Sequence, residues 1–343
     1  MHASSVLDEL RRVGGFIPVV HASTGSRPDD DEVDTARVVA AALKELGFTS
    51  TLVDVGKDFA AIEHLNIRPI VVFNLIDSIN CDGRLAPMVP ARLDSLGIPY
   101  TGCSSTALFE TLSKTSVKLK LVHAGLPTPD WSEDGDGLPN LARVIVKPIW
   151  EHGSLGIDSK SVVRGIEAAK VIVERTLRLK TEHFAELYIN GREVAVAMLD
   201  RPDGIQVLPI RETLFEGFAE GAPLIADYDA KWNLDSPAYQ GTPRRFGMEG
   251  EEPELAAELT RLALACWKLF TLGGYARVDF RVDRTGAPFI LEINSNPALG
   301  HDAGIVASAA QAGLSFKEMI GQIVEAAWLR SNRGVGNAAP TRA

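Results

Sequence analysis

Residues 274–294 read GYARVDFRVDRTGAPFILEIN, two runs of alternating apolar and polar residues joined by the turn-forming segment DRTGA. This pattern predicts an antiparallel hairpin. With an even-numbered loop, Asp279 lies opposite Glu292 and Arg277 lies opposite Asn294. The other face collects the apolar residues of both runs and is expected to be core: Ala276, Val278, Phe280, Leu291 and Ile293.

The two carboxylates that this register pairs would repel each other unless a positive charge lay between them. Mg²⁺ meets that need, since it binds carboxylate and amide oxygens together with phosphate oxygens and water. The alternative is a solvated face on which Arg277 and Arg281 neutralise the acids. Asn294 is followed by SNP (295–297), a loop that could contact a substrate, and this favours a metal site.

The composition is that of an ordinary soluble globular chain. Of 343 residues, 45% are apolar and 23% are charged, and the length predicts two or three packed units. The formal net charge of −10 argues against nucleic acid or an anionic membrane as a partner. Three cysteines without a CxxC pair, no secretory signal and no apolar run of about 18 residues indicate a cytoplasmic protein.

The order of the predicted elements divides the chain into three units and a tail. Strand-like runs alternate with helical patterns in residues 1–106, which predicts an α/β domain with a parallel sheet. Residues 107–189 begin with one helical stretch, ALFETLSKTSVKLKLVHAG, and continue through strand, glycine turn, helix and strand. Residues 190–330 contain the hairpin and a long polar loop between Arg211 and Arg245, and residues 331–343 form a flexible tail.

A glycine turn follows an apolar strand that ends at Lys147. The turn, WEHGSLGI (150–157), contains Gly153, Ser154 and Gly156. Backbone N–H groups of such a turn can approach phosphate oxygens, and a nearby lysine supplies positive charge. The turn matches neither the Walker A pattern nor GxGxxG, so an ordinary turn beside a surface lysine is the alternative.

Other single residues leave two interpretations open. Lys114 lies in a helix-like segment, where a solvated lysine is the usual outcome. Lys231 lies in the long polar loop, which can be a lid or an unstructured segment. Glu193 follows Glu186 across the segment ELYINGRE, and it can accept hydrogen bonds from ribose hydroxyls or pair with Arg192.

Taken in order, these segments resemble the ATP-grasp superfamily and, within it, the D-alanine–D-alanine ligases. The resemblance extends from about VVFNL (71–75) to IVEAAW (323–328). The matching segments keep the family's order and spacing: LGIPYTGCSSTAL, HAGLPTPDW, VIVKPIWEHGSLGI, AELYINGREVAVAML, YARVDFRVDRTGAPFILEINSNPAL and AAQAGLSFKEMI. The resemblance implies an α/β plus α+β fold, with a Rossmann-like pre-ATP-grasp domain (1–106), a small ATP-grasp lobe (107–189) and a large one (190–330).

The resemblance also implies roles for matching positions of this chain. The residues that would bind ATP are Lys114 and Lys147 at the phosphates, Glu151, Gly153 and Ser154 in the covering turn, Glu186, Leu187 and Ile189 at adenine, and Glu193 at ribose. The residues that would bind two Mg²⁺ ions, for which Mn²⁺ can substitute, are Asp279, Glu292 and Asn294. The residues that would act at the reacting centre are Arg277, Ser154 and Lys231, the last from the loop that folds over the site.

The implied reaction is ATP-dependent joining of a carboxylate and an amine. The γ-phosphoryl group would move to the carboxylate, and the amine would attack the acyl phosphate, with magnesium and the lysines offsetting negative charge. Arg277 and a backbone N–H near Ala298 would stabilise the tetrahedral oxyanion. Closure of the 211–245 loop would exclude water.

The sequence departs from the family at the amino-acid subsites. In place of a GGxSxE loop it has HASTGSRPDDDEVD (21–34), in which Glu32 or one of Asp29–Asp31 would hold the first substrate's ammonium, or a solvated acidic turn forms. The family's HGxxGEDG segment is replaced by DSINCDG (77–83), which lacks the histidine. Ala303 stands where the family has a serine against the second substrate's carboxylate. His301 and Asp302 are candidates to contact that substrate, or they belong to a satisfied loop or a helix cap.

The nucleotide half therefore matches the family and the amino-acid half does not. We expect a ligase that acts on amino-acid-like substrates other than two D-alanines. A true D-alanine–D-alanine ligase of peptidoglycan synthesis and a nucleotide-binding protein without ligase turnover are the alternatives. The expected partners are a small-molecule carboxylate and amine, and the family implies a homodimer through the N-terminal domain.

Overall fold

The computed structural model describes residues 6–13, 15–22, 31–65, 67–80, 82–150, 154, 156–227, 230, 233 and 235–335. The predicted site residues Glu151, Gly153 and Lys231 lie outside these ranges, as do Asp29 and Asp30.

The N-terminal part is built on a parallel sheet with the strand order β2–β1–β3. Its strands and helices, in chain order, are α1 (Val6–Arg12), β1 (Val19–His21), α2 (Asp31–Glu45), β2 (Leu52–Asp54), α3 (Ala60–Glu63), β3 (Phe73–Asn74) and α4 (Met88–Ser95). Strands and helices alternate, as the sequence predicts. Near the end of this part, Tyr100 forms a parallel bridge with Val72 beside β3.

The middle part contains an antiparallel sheet with the order β4–β7–β5–β6. Its elements are α5 (Ser105–Leu112), α6 (Lys114–His123), β4 (Trp131–Ser132), β5 (Arg143–Pro148), β6 (Val162–Arg164), α7 (Ala168–Leu179) and β7 (His183–Leu187). The single helix predicted at 107–125 is two helices. Ser113 leaves the helical conformation, and its hydroxyl accepts a hydrogen bond from the Ser116 N–H at 3.3 Å, which caps α6. Lys114 is therefore the first residue of a helix.

The third part contains a six-stranded sheet with the order β11–β10–β8–β12–β13, and β9 also pairs with β8. Its strands are β8 (Gly191–Arg201), β9 (Gly204–Val207), β10 (Arg211–Thr213), β11 (Arg244–Arg245), β12 (Tyr275–Asp283) and β13 (Pro288–Asn294). Its helices are α8 (Pro237–Gln240), α9 (Met248–Glu251), α10 (Pro253–Leu269), α11 (Gly304–Gln311) and α12 (Phe316–Val335). Helix α12 continues five residues into the segment predicted as a tail, 331–343.

The hairpin of β12 and β13 has the predicted register at its functional end. Asp279 pairs with Glu292 and Arg277 with Asn294, but the register then shifts, so that Phe280 pairs with Ile290. This bulge places Ile290 in the core, where it is fully buried, whereas Leu291 is half-buried and lines a cavity. The prediction that Leu291 is a core residue is therefore wrong.

Separate apolar cores hold the parts together. Helix α10 covers one face of the six-stranded sheet through Leu259, Leu262 and Cys266, which pack with Val196 and Val278. Helix α12 belongs instead to the core that contains α2 and β1. That core includes Ala197 and Leu199 of β8 and Tyr275 of β12, so α12 covers one end of the opposite face of the six-stranded sheet, and the rest of that face, with Ala195, Asp279 and Glu292, lines a cavity. Among the described helices, none is both long and apolar enough to cross a membrane.

Candidate active site

A cavity of about 1330 Å³ is lined by residues from all three parts of the chain. Fifteen of the predicted site residues line it: Glu32, Lys114, Lys147, Ser154, Glu186, Leu187, Ile189, Glu193, Arg277, Asp279, Glu292, Asn294, Ala298, His301 and Asp302. These residues come from five strands, two helices and several connections. The fold therefore brings together what the sequence scatters over more than 250 positions.

The acidic hairpin forms one wall of the cavity. Arg277 donates two hydrogen bonds to Asp279, from Nε to Oδ1 at 2.7 Å and from Nη2 to Oδ2 at 2.8 Å. Burial disfavours the charge of Arg277, but the carboxylates of Asp279 and Glu292 outweigh it and raise the pKa of the guanidinium. Arg277 thus offsets the repulsion between two carboxylates that lie directly across the hairpin.

The chemistry of this wall fits a hard divalent cation. Asp279 and Glu292 supply carboxylates and Asn294 supplies an amide oxygen, which are ligand types that Mg²⁺ takes. The Asn294 Oδ1 also accepts a hydrogen bond from the Asn296 N–H at 3.0 Å, which orients the amide. Within the described residues no group of three or more acidic, His or Cys side chains could hold a metal. A cation here therefore depends on the amide and on substrate oxygens.

A buried ion-pair cluster forms the opposite wall. Glu186 is 1% exposed, and its Oε2 lies 2.6 Å from the Nζ of the fully buried Lys118. Its Oε1 accepts a hydrogen bond from Lys147. Burial alone would raise the pKa of Glu186, but Lys118 and Lys147 lower it below the ordinary value. Glu186 therefore fixes the position of Lys147 at the cavity surface.

The strand end beside this cluster carries the predicted adenine and ribose residues. The backbone N–H groups of Leu187 and Tyr188 donate hydrogen bonds to the backbone carbonyl oxygens of Asp130 and Arg143. Glu193 pairs with Arg281 at 2.8 Å, and not with Arg192, which was the alternative partner from the sequence. Because Arg281 and Glu193 belong to neighbouring strands, their pairing leaves Glu193 at the cavity in a fixed position.

The glycine turn contacts the long loop across the cavity. Ser154 has a positive φ of 64°, and its hydroxyl donates to the carbonyl oxygen of Ala226 at 2.7 Å. Tyr188 makes a second contact with the loop, because its hydroxyl bonds both the N–H and the carbonyl of Leu224. The loop is therefore held against the middle part of the chain in this conformation.

The far end of the cavity is where the sequence predicts the amino-acid substrates. Glu32 accepts a hydrogen bond from the Ala22 N–H at 2.9 Å, so the carboxylate is anchored at the end of β1. His301 stacks on Phe316 with the ring centroids 6.4 Å apart. The N-cap of α11 is Ala303, so neither His301 nor Asp302 occupies the cap position.

Two cavity arginines at this end were not predicted as site residues. Arg211 and Arg244 belong to β10 and β11, at the two ends of the segment predicted as a loop. Arg244 donates to the backbone carbonyl oxygen of Asp302. Arg211 donates from Nη1 to the Thr213 hydroxyl at 3.0 Å. Strands of two or three residues are too short to show periodicity, so the sequence carried no signal for their position.

The comparisons with known proteins agree with this geometry. The family model described as "D-ala D-ala ligase C-terminus" matches residues 137–325. "Uncharacterized protein y4sG" of Sinorhizobium fredii is 33% identical over 306 residues, which cover 85% of this chain and 87% of that relative. The D-alanine–D-alanine ligase of Aquifex aeolicus is 28% identical over 310 residues, covering 88% and 97%. The Bacillus anthracis D-alanine–D-alanine ligase complexed with ATP superposes with a TM-score of 0.74 at 20% identity, covering 93% of this chain and 99% of that chain.

Proposed function

The chain belongs to the D-alanine–D-alanine ligase family and is an ATP-grasp ligase that forms a carbon–nitrogen bond, and from that premise we propose that its substrates are not two D-alanines. The proposed reaction joins an amino-acid-like carboxylate to an amino-acid-like amine through an acyl phosphate. The observation that supports it is a contrast within one cavity. The described residues that the family resemblance assigns to the nucleotide and the metal line this cavity, whereas its amino-acid end carries Ala303, Arg211 and Arg244.

The family uses ATP and a divalent metal, and the acidic hairpin is where we place the metal. Asp279, Glu292 and Asn294 would hold it, and we propose two Mg²⁺ ions, with Mn²⁺ as a substitute. A bound divalent cation supplies Lewis-acid stabilisation of phosphate oxygens.

The chain's own residues would do the remaining work. Lys147, held in position by Glu186, and Lys114 would supply positive charge to the phosphate groups of ATP. Arg277, at the acidic hairpin, and a backbone N–H near Ala298 would donate to the oxyanion that forms when the amine attacks. The Ser154 contact with Ala226 keeps the long loop over the cavity, which protects the acyl phosphate from water.

The bounds of the three domains, the cellular location and the oligomeric state are also proposals. The parallel sheet of β1–β3 supports a Rossmann-like pre-ATP-grasp domain at 1–106, ahead of a small lobe at 107–189 and a large lobe at 190–330. A cytoplasmic location and a homodimer through the N-terminal domain are predictions from the sequence and from the family.

The test is ADP release from ATP over a panel of amino acids, followed by the mass of the product. D-Alanine alone should give slow turnover that does not saturate, and a different amino acid or pair should give saturable turnover. Rapid, saturable turnover with D-alanine alone would show instead that this is a true D-alanine–D-alanine ligase. No ADP release with any pair would favour a nucleotide-binding protein without ligase turnover.

A matched pair of glutamate variants tests the metal assignment. Glu292→Ala should lower turnover by at least about 100-fold, because it removes a ligand at the reacting centre. Glu258→Ala should leave turnover unchanged, since Glu258 is an exposed residue of α10 that pairs only with Arg261 among the described residues. Unchanged ATP consumption by Glu292→Ala would refute the metal site.

A further inference from the structure

The cavity-facing side of the six-stranded sheet carries its side chains in cross-strand rows. One row runs Arg211, Ala195, Asp279 and Glu292 over β10, β8, β12 and β13. Residues directly opposite each other in antiparallel strands share a face. Arg211 therefore lies on the same face as the acidic pair, with only the small side chain of Ala195 between Arg211 and Asp279.

Arg211 has an unsatisfied donor at this position. Its Nε is buried and has no hydrogen-bond partner among the described residues, and no carboxylate of those residues forms an ion pair with it. The two cavity arginines of β12 differ from Arg211, because Arg277 pairs with Asp279 and Arg281 pairs with Glu193. Burial and the nearby Arg277 lower the pKa of Arg211 to about 10, so the guanidinium is still charged at neutral pH. A buried, charged donor without a partner is stabilised when an anion binds to it.

The neighbours of Arg211 define a subsite. Thr213 accepts its Nη1 hydrogen bond and is paired in register with Arg244, whose side chain also lines the cavity. A Cβ added at Gly304 would lie 2.9 Å from the Arg211 Nε, so the guanidinium packs against the start of α11. Ala303 next to it offers no side-chain hydrogen bond donor.

We propose that Arg211, with Thr213 and Arg244, binds an acid group of the substrate that does not react. This inference rests on the proposed function, because the reacting carboxylate must lie at Asp279 and Glu292 to receive the phosphoryl group. An acid held by Arg211 is separated from that point by two strand spacings, or about 10 Å between backbones. It is therefore either the α-carboxylate of the amine-bearing substrate or an acidic side chain.

The experiment compares acids with their amides in the full-length protein. Alanine and alaninamide test the α-carboxylate, while aspartate with asparagine and glutamate with glutamine test an acidic side chain, each in both enantiomers. Binding is measured by calorimetry in the presence of Mg²⁺ and a non-hydrolysable ATP analogue, and turnover is measured by ADP release. The wild type should bind the acid more tightly than the amide in one of these pairs, and that pair identifies which acid group Arg211 binds.

Variants assign that preference to Arg211. Arg211→Met should raise the KM and the Kd for the preferred acid by about tenfold to a hundredfold and leave those for its amide unchanged, since one charge-assisted contact is lost. Arg211→Lys should recover part of the preference, and Gly304→Ala should weaken it by displacing the guanidinium. Arg245→Gln is the control, because Arg245 lies on the same edge strand as Arg244 and does not line the cavity.

Two results would overturn the subsite. One is a wild-type protein that binds every amide as tightly as its acid, and the other is an Arg211→Met variant that weakens acid and amide equally. The calorimetric comparison decides this even if no pair of substrates releases ADP, a result that would count against the proposed function alone. Saturable ADP release without acid preference would instead leave the proposed function standing and remove the subsite.

Discussion

The buried cluster of Lys118, Glu186 and Lys147 allows a sharp prediction about stability and nucleotide binding. Replacing Lys118 by Met keeps most of the side chain's volume and removes its charge. Glu186 would then retain Lys147 as its only ion-pair partner among the described residues. Replacing Glu186 by Gln is the more severe change, because it leaves two lysines facing an uncharged amide.

The magnitude follows from the burial of these side chains. Lys118 is 0% and Glu186 is 1% exposed, so water cannot solvate either charge when the other is removed. Breaking such a pair costs about 3–5 kcal/mol of the free energy of unfolding. We expect Glu186→Gln to reach this range and Lys118→Met to lie at its lower end. Because both changes remove the same interaction, the double variant should lose less than the sum, by about 1–3 kcal/mol.

The assay is urea unfolding followed by tryptophan fluorescence, with Lys120→Met as the matched control. Lys120 is on the same helix and pairs with Glu110 at 2.7 Å, but these side chains are 34% and 35% exposed. An ion pair at that exposure contributes about 0–1 kcal/mol. Binding of an ATP analogue is measured in parallel, since Glu186→Gln also releases Lys147 from its position at the cavity.

A specific result would refute this reasoning. If Lys118→Met lost no more stability than Lys120→Met, the buried charges would not depend on each other. Additive losses in the double variant would lead to the same conclusion, because independent sites add and coupled sites do not.

Three further outcomes are expected. Gly191→Ala should lower the free energy of unfolding by about 1–3 kcal/mol in the same assay, because its Cβ would lie 1.9 Å from the backbone carbonyl oxygen of Val282 on the facing strand. Gly250→Ala is the control and should not lower the free energy of unfolding, because a Cβ there would have open space around it. Ser154→Ala should lower turnover by about twofold to tenfold and speed proteolysis of the segment around Ala226, since one hydrogen bond to that segment is lost; an unchanged cleavage rate would count against the contact. The pKa of Glu186 is lowered from 4.5, so the stability from its ion pairs is present above that pH and is lost as the pH falls through the folded-state value. The stability difference between wild type and Glu186→Gln should therefore shrink below about pH 4.5, and a constant difference down to pH 3 would contradict the assignment.

Sequence patterns predicted the parts of the site that depend on local periodicity. The pairing of Asp279 with Glu292 followed from two alternating runs and a short turn, and it is confirmed. The bulge beside it was missed, because one extra residue in a strand changes no composition and only reverses which of Ile290 and Leu291 faces the core. The break at Ser113 could have been found, since a serine before KTS is a typical helix N-cap.

Contacts between strands distant in sequence could not be predicted. The partner of Glu193 is Arg281, 88 positions later, and the choice over Arg192 depends on the register of β8 with β12. Arg211 is a similar case, because its position beside the acidic hairpin follows from β10 pairing with β8 and β8 pairing with β12. No local signal encodes either pairing, since register between distant strands is set by packing of the whole sheet.

The same sheet geometry explains how one surface could hold both the arginine that we propose binds an acid and the two carboxylates that we propose bind a metal. Arg211 and Asp279 lie on either side of Ala195, so the direct ion pair that would form between adjacent positions does not form. Asp279 instead pairs with Arg277 on its own strand. The Nε donor of Arg211 is therefore left without a hydrogen-bond partner among the described residues. A larger residue at 195 would fill the space above the sheet between the Arg211 guanidinium and the carboxylates of Asp279 and Glu292. A substrate that reacts at one end and is held by its acid at the other needs that space, and an alanine provides it.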